Sequence, residues 1–176
     1  MARRSRESTQ RAIRAGYLAD IRARQVLLAL DLGDVEVKRG DYDEGQLGRI
    51  MEAANAPQHV AEAWKQHGED RKTIVFTPTV ALARDTALAF EALGAPAGFV
   101  SGQTPLDERR QFLADFRDGR VRVAVSVGVL TEGYDEPSVE AIVIARPTKS
   151  RLLFSQMIGR GLRKHPGKQD CLVMDV

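Results

Sequence analysis

The sequence predicts an α/β fold, a three-layer sandwich in which a mostly parallel sheet lies between helices on both faces. Two observations predict it. Short apolar runs rich in β-branched residues recur from residue 72 onward, and stretches with apolar side chains at helical spacing separate them. Such alternation is typical of βαβ units, whose crossover helices cover both faces of a parallel sheet. At 176 residues, 43% hydrophobic and 28% charged, the chain is long enough for one such domain.

Five apolar runs predict the strands, at residues 73–78, 97–101, 121–127, 139–145 and 171–175. Three helices are predicted between them. The first covers 79–93 and stops at Gly94, the second begins at Pro105 and closes at Gly119, and the third covers 150–162. Proline suits the second start because the first turn of a helix leaves its N–H groups unpaired.

Residues 1–71 have a different pattern and are predicted to be an N-terminal arm. We expect a short helix near 8–18, a strand over 22–32 and a polar loop after it. Two further helices, 44–54 and 57–67, are separated at Asn55–Pro57. The predicted organisation is therefore a linker or arm over 1–71 and an α/β core over 72–176.

The charges are unevenly distributed, although the formal net charge is only +2. Residues 31–70 hold ten acids and four bases, whereas residues 141–169 hold seven bases and no acid. We expect an unpaired cationic cluster within QMIGRGLRKHPGK, residues 156–168, which would suit an anion such as phosphate. A simple solvated surface is the alternative.

Several kinds of chemistry are missing from the sequence. No G-x-x-x-x-G-K-[ST] phosphate cradle occurs, and Asp135–Glu136 stands in a loop before Pro137, so we expect no metal site. The three histidines are expected to be solvated, and the single cysteine, Cys171, to be a buried thiol in a reducing compartment. No apolar run approaches ~18 residues and no secretory signal is visible, which favours a cytoplasmic location without a membrane span.

Four sequence blocks occur in a distinctive order: TIVFTPT (73–79), VSGQTPLDERRQFLADFRDGRVRVAV (100–125), LTEGYDEPSV (130–139) and QMIGRGLR (156–163). They resemble motif four, the conserved block that follows it, and motifs five and six of superfamily 2 helicases. More closely, they resemble the second RecA-like domain, the helicase C-terminal domain, of bacterial and phage DEAD/DEAH-type helicases. The resemblance covers 72–176, and AIRAGYLADIRA in the arm resembles the segment that links the two lobes.

The resemblance implies a RecA-like fold of the P-loop NTPase type and a role in ATP hydrolysis. In the family, ATP lies between two lobes; the first lobe holds the phosphate cradle and Mg²⁺, and the second supplies arginines. Arg160 and Arg163 match those catalytic arginines. At i and i+3 they share one helix face, and forked guanidinium groups suit a transferring phosphoryl group. Gly159 and Gly161 are expected to keep the backbone bare where the first lobe closes.

Other residues match the family's nucleotide-binding positions. Gln156 and Gly159 belong to motif six, and Gly133 would let the backbone approach the nucleotide. Asp135 matches the acid of motif five, which contacts the ribose or orders the arginines.

The resemblance also implies a path for a nucleic-acid strand along the carboxyl ends of the strands. The expected contacts are to the sugar–phosphate backbone, and Lys149 and Arg151 would add salt-dependent affinity. DNA is favoured over RNA because Met157 follows Gln156, where the RNA helicases often have arginine. The candidate contact residues are Thr77, Pro78, Gly102, Thr104, Ser126, Thr131, Lys149 and Arg151.

The predicted function is the second motor lobe of an ATP-dependent helicase or translocase. This chain without its first lobe is expected to be inactive, because it lacks both the phosphate cradle and the acidic magnesium motif. The alternative is a stand-alone, non-catalytic module that binds nucleic acid or regulates another protein. A small-molecule α/β enzyme is disfavoured, because no nucleophile or cofactor cradle is visible.

Overall fold

The computed structural model describes residues 11–68, 70–131 and 133–176. Across these residues, six parallel strands form one sheet: β1 (Asp20–Gln25), β4 (Thr73–Phe76), β5 (Ala97–Ser101), β6 (Val123–Val127), β7 (Ala141–Ile144) and β8 (Asp170–Asp175). Their order is β1-β8-β7-β4-β6-β5. A separate antiparallel hairpin pairs β2 (Val37–Lys38) with β3 (Asp41–Tyr42). The helices are α1 (Glu44–Ala53), α2 (Ala56–His67), α3 (Val80–Ala92), α4 (Leu106–Arg117) and α5 (Arg151–Gly159).

The sheet has a hydrophobic core on each face, which confirms the predicted three-layer α/β architecture. On one face, Val75 and Val143 pack with residues of α1, α2 and α3, including Trp64. On the other, Ile74 and Ile142 pack with residues of α4 and α5. The middle strands β4 and β7 are buried along their whole length, as expected of parallel strands covered on both faces. All five strands and all three helices predicted beyond residue 72 are present, with ends that differ by a few residues.

Short polar side chains determine where several helices begin. The hydroxyl of Thr79 accepts from the backbone N–H of Leu82 at 3.2 Å and starts α3. Ser150 accepts from Leu153 N–H at 3.2 Å and starts α5, and Asp43 starts α1 in the same way. Each such cap stabilises a helix by about 1 kcal/mol. Thr79 and Ser150 lie in the connections that follow β4 and β7, so these caps begin α3 and α5 close to the carboxyl ends of those strands.

Residues 20–67 contribute to the same sandwich. β1 pairs with β8 along its whole length, and α1 and α2 pack against α3. The indole N–H of Trp64 donates to the hydroxyl of Thr73 at 2.7 Å, which ties α2 to the first residue of β4. The division into an arm over 1–71 and a core over 72–176 stays a prediction.

The predicted strand over 22–32 is wrong beyond residue 25. Strand pairing ends at Gln25, although apolar side chains continue to alternate. Val26, Leu28, Leu30 and Leu32 pack on the core beneath α1 and α2 instead. Alternation marks one buried side of an extended chain, and here that side packs on the core without strand pairing.

Residues 11–14 are helical, and residues 8–10 of the predicted N-terminal helix lie outside the described part of the chain. In the described part, none of the helices combines the length and the apolar character needed to cross a bilayer.

Candidate nucleotide and nucleic-acid interface

The predicted strand-contacting residues lie in loops at one edge of the sheet. Because all six strands are parallel, the chain leaves β4, β5, β6 and β7 at the same side. Thr77 and Pro78 follow β4, Gly102 and Thr104 follow β5, Ser126 and Thr131 belong to β6 and its loop, and Lys149 and Arg151 flank the start of α5. The topology therefore brings all eight residues to the carboxyl edge of the sheet.

These eight residues differ in how far they are exposed. Gly102, Lys149 and Arg151 are exposed, and Thr104 and Thr131 are half-buried. Ser126 is fully buried, and its hydroxyl accepts from the backbone N–H of Leu130 at 3.1 Å. The side chain of Ser126 therefore stabilises the loop after β6 and does not face solvent.

Thr77 is also buried, with 1% of its surface exposed, and its hydroxyl has no hydrogen-bond partner among the described residues. Thr104 has a structural contact as well, since its hydroxyl accepts from the N–H of Ser101 at 3.0 Å. The exposed members of the set are therefore the ones that a strand could reach without rearrangement.

One arginine that the sequence did not single out organises the loop after β5. The Nη2 group of Arg109 donates to the carbonyl oxygens of Ser101, Gly102 and Thr104 at 2.9, 3.3 and 3.3 Å. A forked, always charged group can satisfy several carbonyls at once. Arg109 and its acceptors are only five to eight residues apart in the sequence. The sequence still did not predict the contact, because a basic residue in the first turns of a helix can have many other roles.

The β2–β3 hairpin holds the loop after β7. The carboxylate of Asp41 accepts from the hydroxyl of Thr148 at 2.7 Å and from the N–H of Lys149 at 2.8 Å. Burial alone would raise the pKa of Asp41, but these hydrogen bonds outweigh it and lower the pKa. The ammonium of Lys149 lies 5.0 Å from the centre of the Tyr42 ring, so the hairpin also positions that candidate contact.

The two predicted catalytic arginines lie at a different place. Helix α5 runs from the carboxyl edge of the sheet toward the opposite edge. Residues 133–140 run in the same direction and lead into β7. Where they meet, Nη1 of Arg160 donates to the carbonyl oxygen of Tyr134 at 2.7 Å. The guanidinium of Arg163 forms an ion pair with Asp135, and their side chains are 43% and 62% exposed. The structure thus brings Arg160, Arg163 and Asp135 together. The expectation that the two arginines share one helix face is wrong, because α5 ends at Gly159 and Arg163 lies beyond it.

The glycines around this site have different physical roles. Gly133 has φ of +70°, a backbone conformation that favours glycine. A Cβ at Gly159 would meet no atom within 4 Å, so this position, three residues after the half-buried Gln156, is open. A Cβ at Gly161 would collide with Cys171 and would lie 2.7 Å from Cγ1 of Ile142. The expectation that Gly161 keeps a cleft surface bare is therefore wrong, because it packs internally against β7 and β8.

The cationic cluster predicted within residues 156–168 is mostly paired, because Arg160, Arg163 and Lys168 have partners. Arg146 pairs with Glu44 at 2.8 Å, and Arg163 pairs with Asp135. The ammonium of Lys168 donates to the carbonyl oxygens of Val139, Gly161 and Arg163. Partners come from distant parts of the chain, which a count of charges within one segment does not reveal.

The residue after Asp135 belongs to a buried network. Glu136 is 8% exposed and accepts from Ser138 Oγ at 2.7 Å and from Arg117 Nε at 3.2 Å. The ammonium of Lys72 donates to Ser138 Oγ at 2.8 Å and to the carbonyl oxygen of Arg117 at 2.8 Å. Burial alone would raise the pKa of Glu136, but the hydrogen bonds from Ser138 and Arg117 lower it.

A metal ion has no set of ligands here, since the described residues contain no group of three or more histidine, cysteine or acidic side chains placed to hold one. Two guanidinium groups beside an exposed carboxylate suit a polyphosphate instead.

An all-parallel α/β sheet with a pair of arginines after α5, set against the loop before β7, fits the RecA-like class of domains. Comparison with known families agrees. The profile of the helicase conserved C-terminal domain matches residues 55–165. The chain belongs to this family.

The relatives that carry the word helicase in their names include two fungal proteins. "Putative ATP-dependent helicase IRC3" of Saccharomyces cerevisiae is 30% identical over 162 residues, which are 90% of this chain and 24% of that protein. "Putative mitochondrial ATP-dependent helicase irc3" of Schizosaccharomyces pombe is 40% identical over 134 residues, 76% of this chain and 22% of that protein. The chain thus spans about a quarter of the length of these relatives.

Solved structures share the fold. A fragment of "a putative HsdR subunit of a type I restriction enzyme" from Vibrio vulnificus YJ016 superposes with a TM-score of 0.71 at 22% identity, over 93% of this chain and 33% of that one. The type ISP restriction-modification enzyme LlaBIII bound to DNA gives 0.63 at 20% identity, over 93% and 12%. Dbp5 of S. cerevisiae bound to RNA and ADP BeF3 gives 0.57 at 17% identity, over 91% and 35%.

Proposed function

We propose that this chain is the second motor lobe of an ATP-dependent helicase or translocase that moves along a nucleic-acid strand. In this proposal Arg160 and Arg163 contact the triphosphate of ATP held by a first RecA-like lobe, which also holds Mg²⁺. The observation that carries the proposal is the convergence of both arginines on residues 134–135. The ATP-dependent helicase names of the relatives support it.

The contacts of Arg163 suit a residue that changes partners during a cycle. Its ion pair with Asp135 is largely exposed, and exposed pairs are worth about 0–1 kcal/mol. A triphosphate carries more charge than one carboxylate and can accept two parallel hydrogen bonds from a guanidinium. Closure of the first lobe would therefore draw Arg163 away from Asp135 at small cost, and Asp135 would become available to the ribose.

Arg160 is held differently, since its Nη1 is bound to the carbonyl of Tyr134 and its Nε is buried without a partner among the described residues. It would approach the phosphates from a more fixed position, with Gln156 and Gly159 on the same helix forming the adjacent surface and Gly133 letting the backbone come close.

The carboxyl edge would follow the sugar–phosphate backbone of the strand. The exposed residues Gly102, Lys149 and Arg151 and the half-buried Thr104 and Thr131 are the contacts that need no rearrangement. Thr77, Pro78 and Ser126 would support the loops behind them. Among structures of this fold one is bound to DNA and another to RNA, and we propose DNA because Met157 follows Gln156.

The test compares ATP hydrolysis by the complete encoded protein with single-stranded DNA and with RNA. Arg163→Ala is expected to lower kcat roughly 10³-fold or more, the range known for arginine fingers, while strand binding stays within about twofold. The control is Arg110→Ala, which removes an exposed arginine of α4 whose partner is Asp107.

Turnover at the wild-type rate in the Arg163→Ala protein would contradict the catalytic role. Strand binding by a complete protein without any ATP hydrolysis would favour the alternative of a non-catalytic binding module.

A further inference from the structure

Lys168 connects two segments of the arginine site. Its ammonium donates to the carbonyl oxygens of Gly161 and Arg163 at 2.6 and 2.9 Å, just after α5. The same nitrogen donates to the carbonyl oxygen of Val139, and that of Pro137 lies 3.5 Å away, in the segment that leads into β7.

The chemistry of this contact is specific. An ammonium has three donors and no acceptor, whereas carbonyl oxygens only accept, so one lysine can satisfy several orphan carbonyls. Hydrogen bonds from a charged donor are shorter and roughly twice as strong as neutral ones. Lys168 is half-buried, and its burial lowers the pKa of the ammonium. A neutral, apolar side chain at this position would leave the carbonyls of both segments without these donors.

One of the two segments contains a residue of the proposed ATP site, and the other lies just after two such residues. The segment 137–139 follows directly from Tyr134 and Asp135, which contact the two arginines. The segment 161–163 contains Arg163, whose own carbonyl oxygen is one of the acceptors. The bond from Lys168 thus fixes the backbone of Arg163 relative to the backbone that presents Asp135.

We propose that Lys168 is a positioning residue for the arginine site, and that its ammonium aligns the Arg163 loop with the Asp135 segment before the triphosphate arrives. This rests on the proposed function, and it adds a residue that touches neither nucleotide nor strand. Pre-alignment matters because a displacement of about 1 Å in a catalytic group can cost roughly 10²-fold in rate.

A purely structural role for Lys168 is the competing explanation, and the chain offers a matched control. Lys72, which is more deeply buried than Lys168, also donates to a backbone carbonyl, that of Arg117, and it reaches Ser138 in the segment 137–139. It lies on the side of α4 and contacts neither Arg160 nor Arg163. Loss of either ammonium should lower the stability of the lobe, but only loss of Lys168 should disturb the arginines.

The experiment measures thermal unfolding and steady-state ATP hydrolysis of the complete encoded protein, assayed well below Tm. Lys168→Met is expected to lower both Tm and kcat, with kcat falling roughly 10- to 100-fold and the KM for ATP changing less than about threefold. Lys72→Met is expected to lower Tm similarly but to leave kcat within about threefold. Lys168→Arg keeps the charge and should recover part of the lost kcat.

A double-mutant cycle with Arg163→Lys then asks whether Lys168 acts through Arg163. We expect Lys168→Met to lose most of its effect on kcat in the Arg163→Lys background and to keep its effect on Tm, because interacting residues are not additive. Multiplicative losses of kcat, or wild-type kcat in both Lys168 variants, would overturn the role of Lys168 and leave that of Arg163 standing. Wild-type turnover in Arg163→Ala and Arg163→Lys would overturn the proposed function and this inference together.

Discussion

The carboxyl edge of the sheet and the arginine site are assembled in different ways. At the carboxyl edge, the loops after β5 and β6 are shaped by nearby side chains, with Thr104 bonded to Ser101 and Ser126 bonded to Leu130, and the loop after β7 is the exception because Asp41 holds it from a distant hairpin. At the arginine site, the contacts join distant segments: Arg160 reaches Tyr134, 26 residues away, and Lys168 reaches Val139, 29 residues away. A substitution in a locally stabilised loop should have a local effect, whereas the geometry of the arginine site depends on the packing of the whole lobe.

The largest expected effect comes from a pair of glycine substitutions at the arginine site, where tight packing of distant segments is predicted to matter. Gly161→Ala is expected to destabilise the lobe by about 2–3 kcal/mol, because the added methyl group collides with Cys171 and Ile142 in two central strands. Gly159→Ala, two residues earlier, meets open space and should change stability by less than about 1 kcal/mol. Thermal unfolding followed by circular dichroism measures both, and equal effects would contradict the packing argument.

The second test measures how the stability of the lobe depends on pH in the acidic range. The pKa of Glu136 is lowered from 4.5 because the hydrogen bonds from Ser138 and Arg117 outweigh its burial. A carboxyl whose pKa is lowered in the folded state contributes stability above its unfolded pKa and loses it as the pH falls through the folded value. We therefore expect Tm to fall as the pH is lowered below about 4.5, and Glu136→Gln to flatten that part of the curve of Tm against pH. An unchanged acid profile in the variant would exclude Glu136 as a contributor.

A smaller effect is expected at the carboxyl edge. Ser126→Ala removes the acceptor of the Leu130 N–H and should cost about 1–2 kcal/mol, since that N–H would be left buried and unpaired. Thr131→Ala, in the same loop and half-buried, should change stability by less than about 0.5 kcal/mol. Denaturant unfolding would show the difference, and no loss in the Ser126 variant would indicate that water replaces the hydroxyl.

The smallest effects concern binding rather than stability. Each of Lys149→Ala and Arg151→Ala should lower affinity for single-stranded DNA and reduce the slope of log K against log salt by about 0.7. Fluorescence anisotropy over a range of salt concentrations measures the slope, with Arg110→Ala as the control. An unchanged slope in both variants would place the strand elsewhere on the lobe.

Much of the sandwich beyond residue 72 could be predicted, because local patterns determine it. The run TIVF is apolar on both faces of a strand, Thr79 and Ser150 are strong helix starts, and Gly94 and Gly119 follow helices with φ of +81°. The same patterns misled at residues 26–32, where alternating side chains pack on the core without strand pairing. Pairing partners are set by the tertiary fold, and the sequence pattern does not contain them.

The candidate site shows the same division. Arg160, Arg163 and Asp135 could be found because their spacing resembles known motifs, and the structure brings them together. Lys168 could not be found, since a lysine before an apolar strand is an ordinary feature and its acceptors are backbone carbonyls, which every residue has. Asp41 was missed for a related reason, because its partners lie more than 100 residues away.

The pairing of β1 with β8 has a consequence for synthesis of the lobe. Asp20 is opposite Asp170, so the two strands come from nearly opposite ends of the described chain. A ribosome must release nearly the whole lobe before β1 can pair with β8. Until β8 is available, the edge of β7 that pairs with β8 has no neighbouring strand. Non-local strand pairing is slow and leaves unpaired edges exposed while the chain waits. The newborn polypeptide therefore passes through a stage with an open sheet, in which chaperones would have a strand edge to protect.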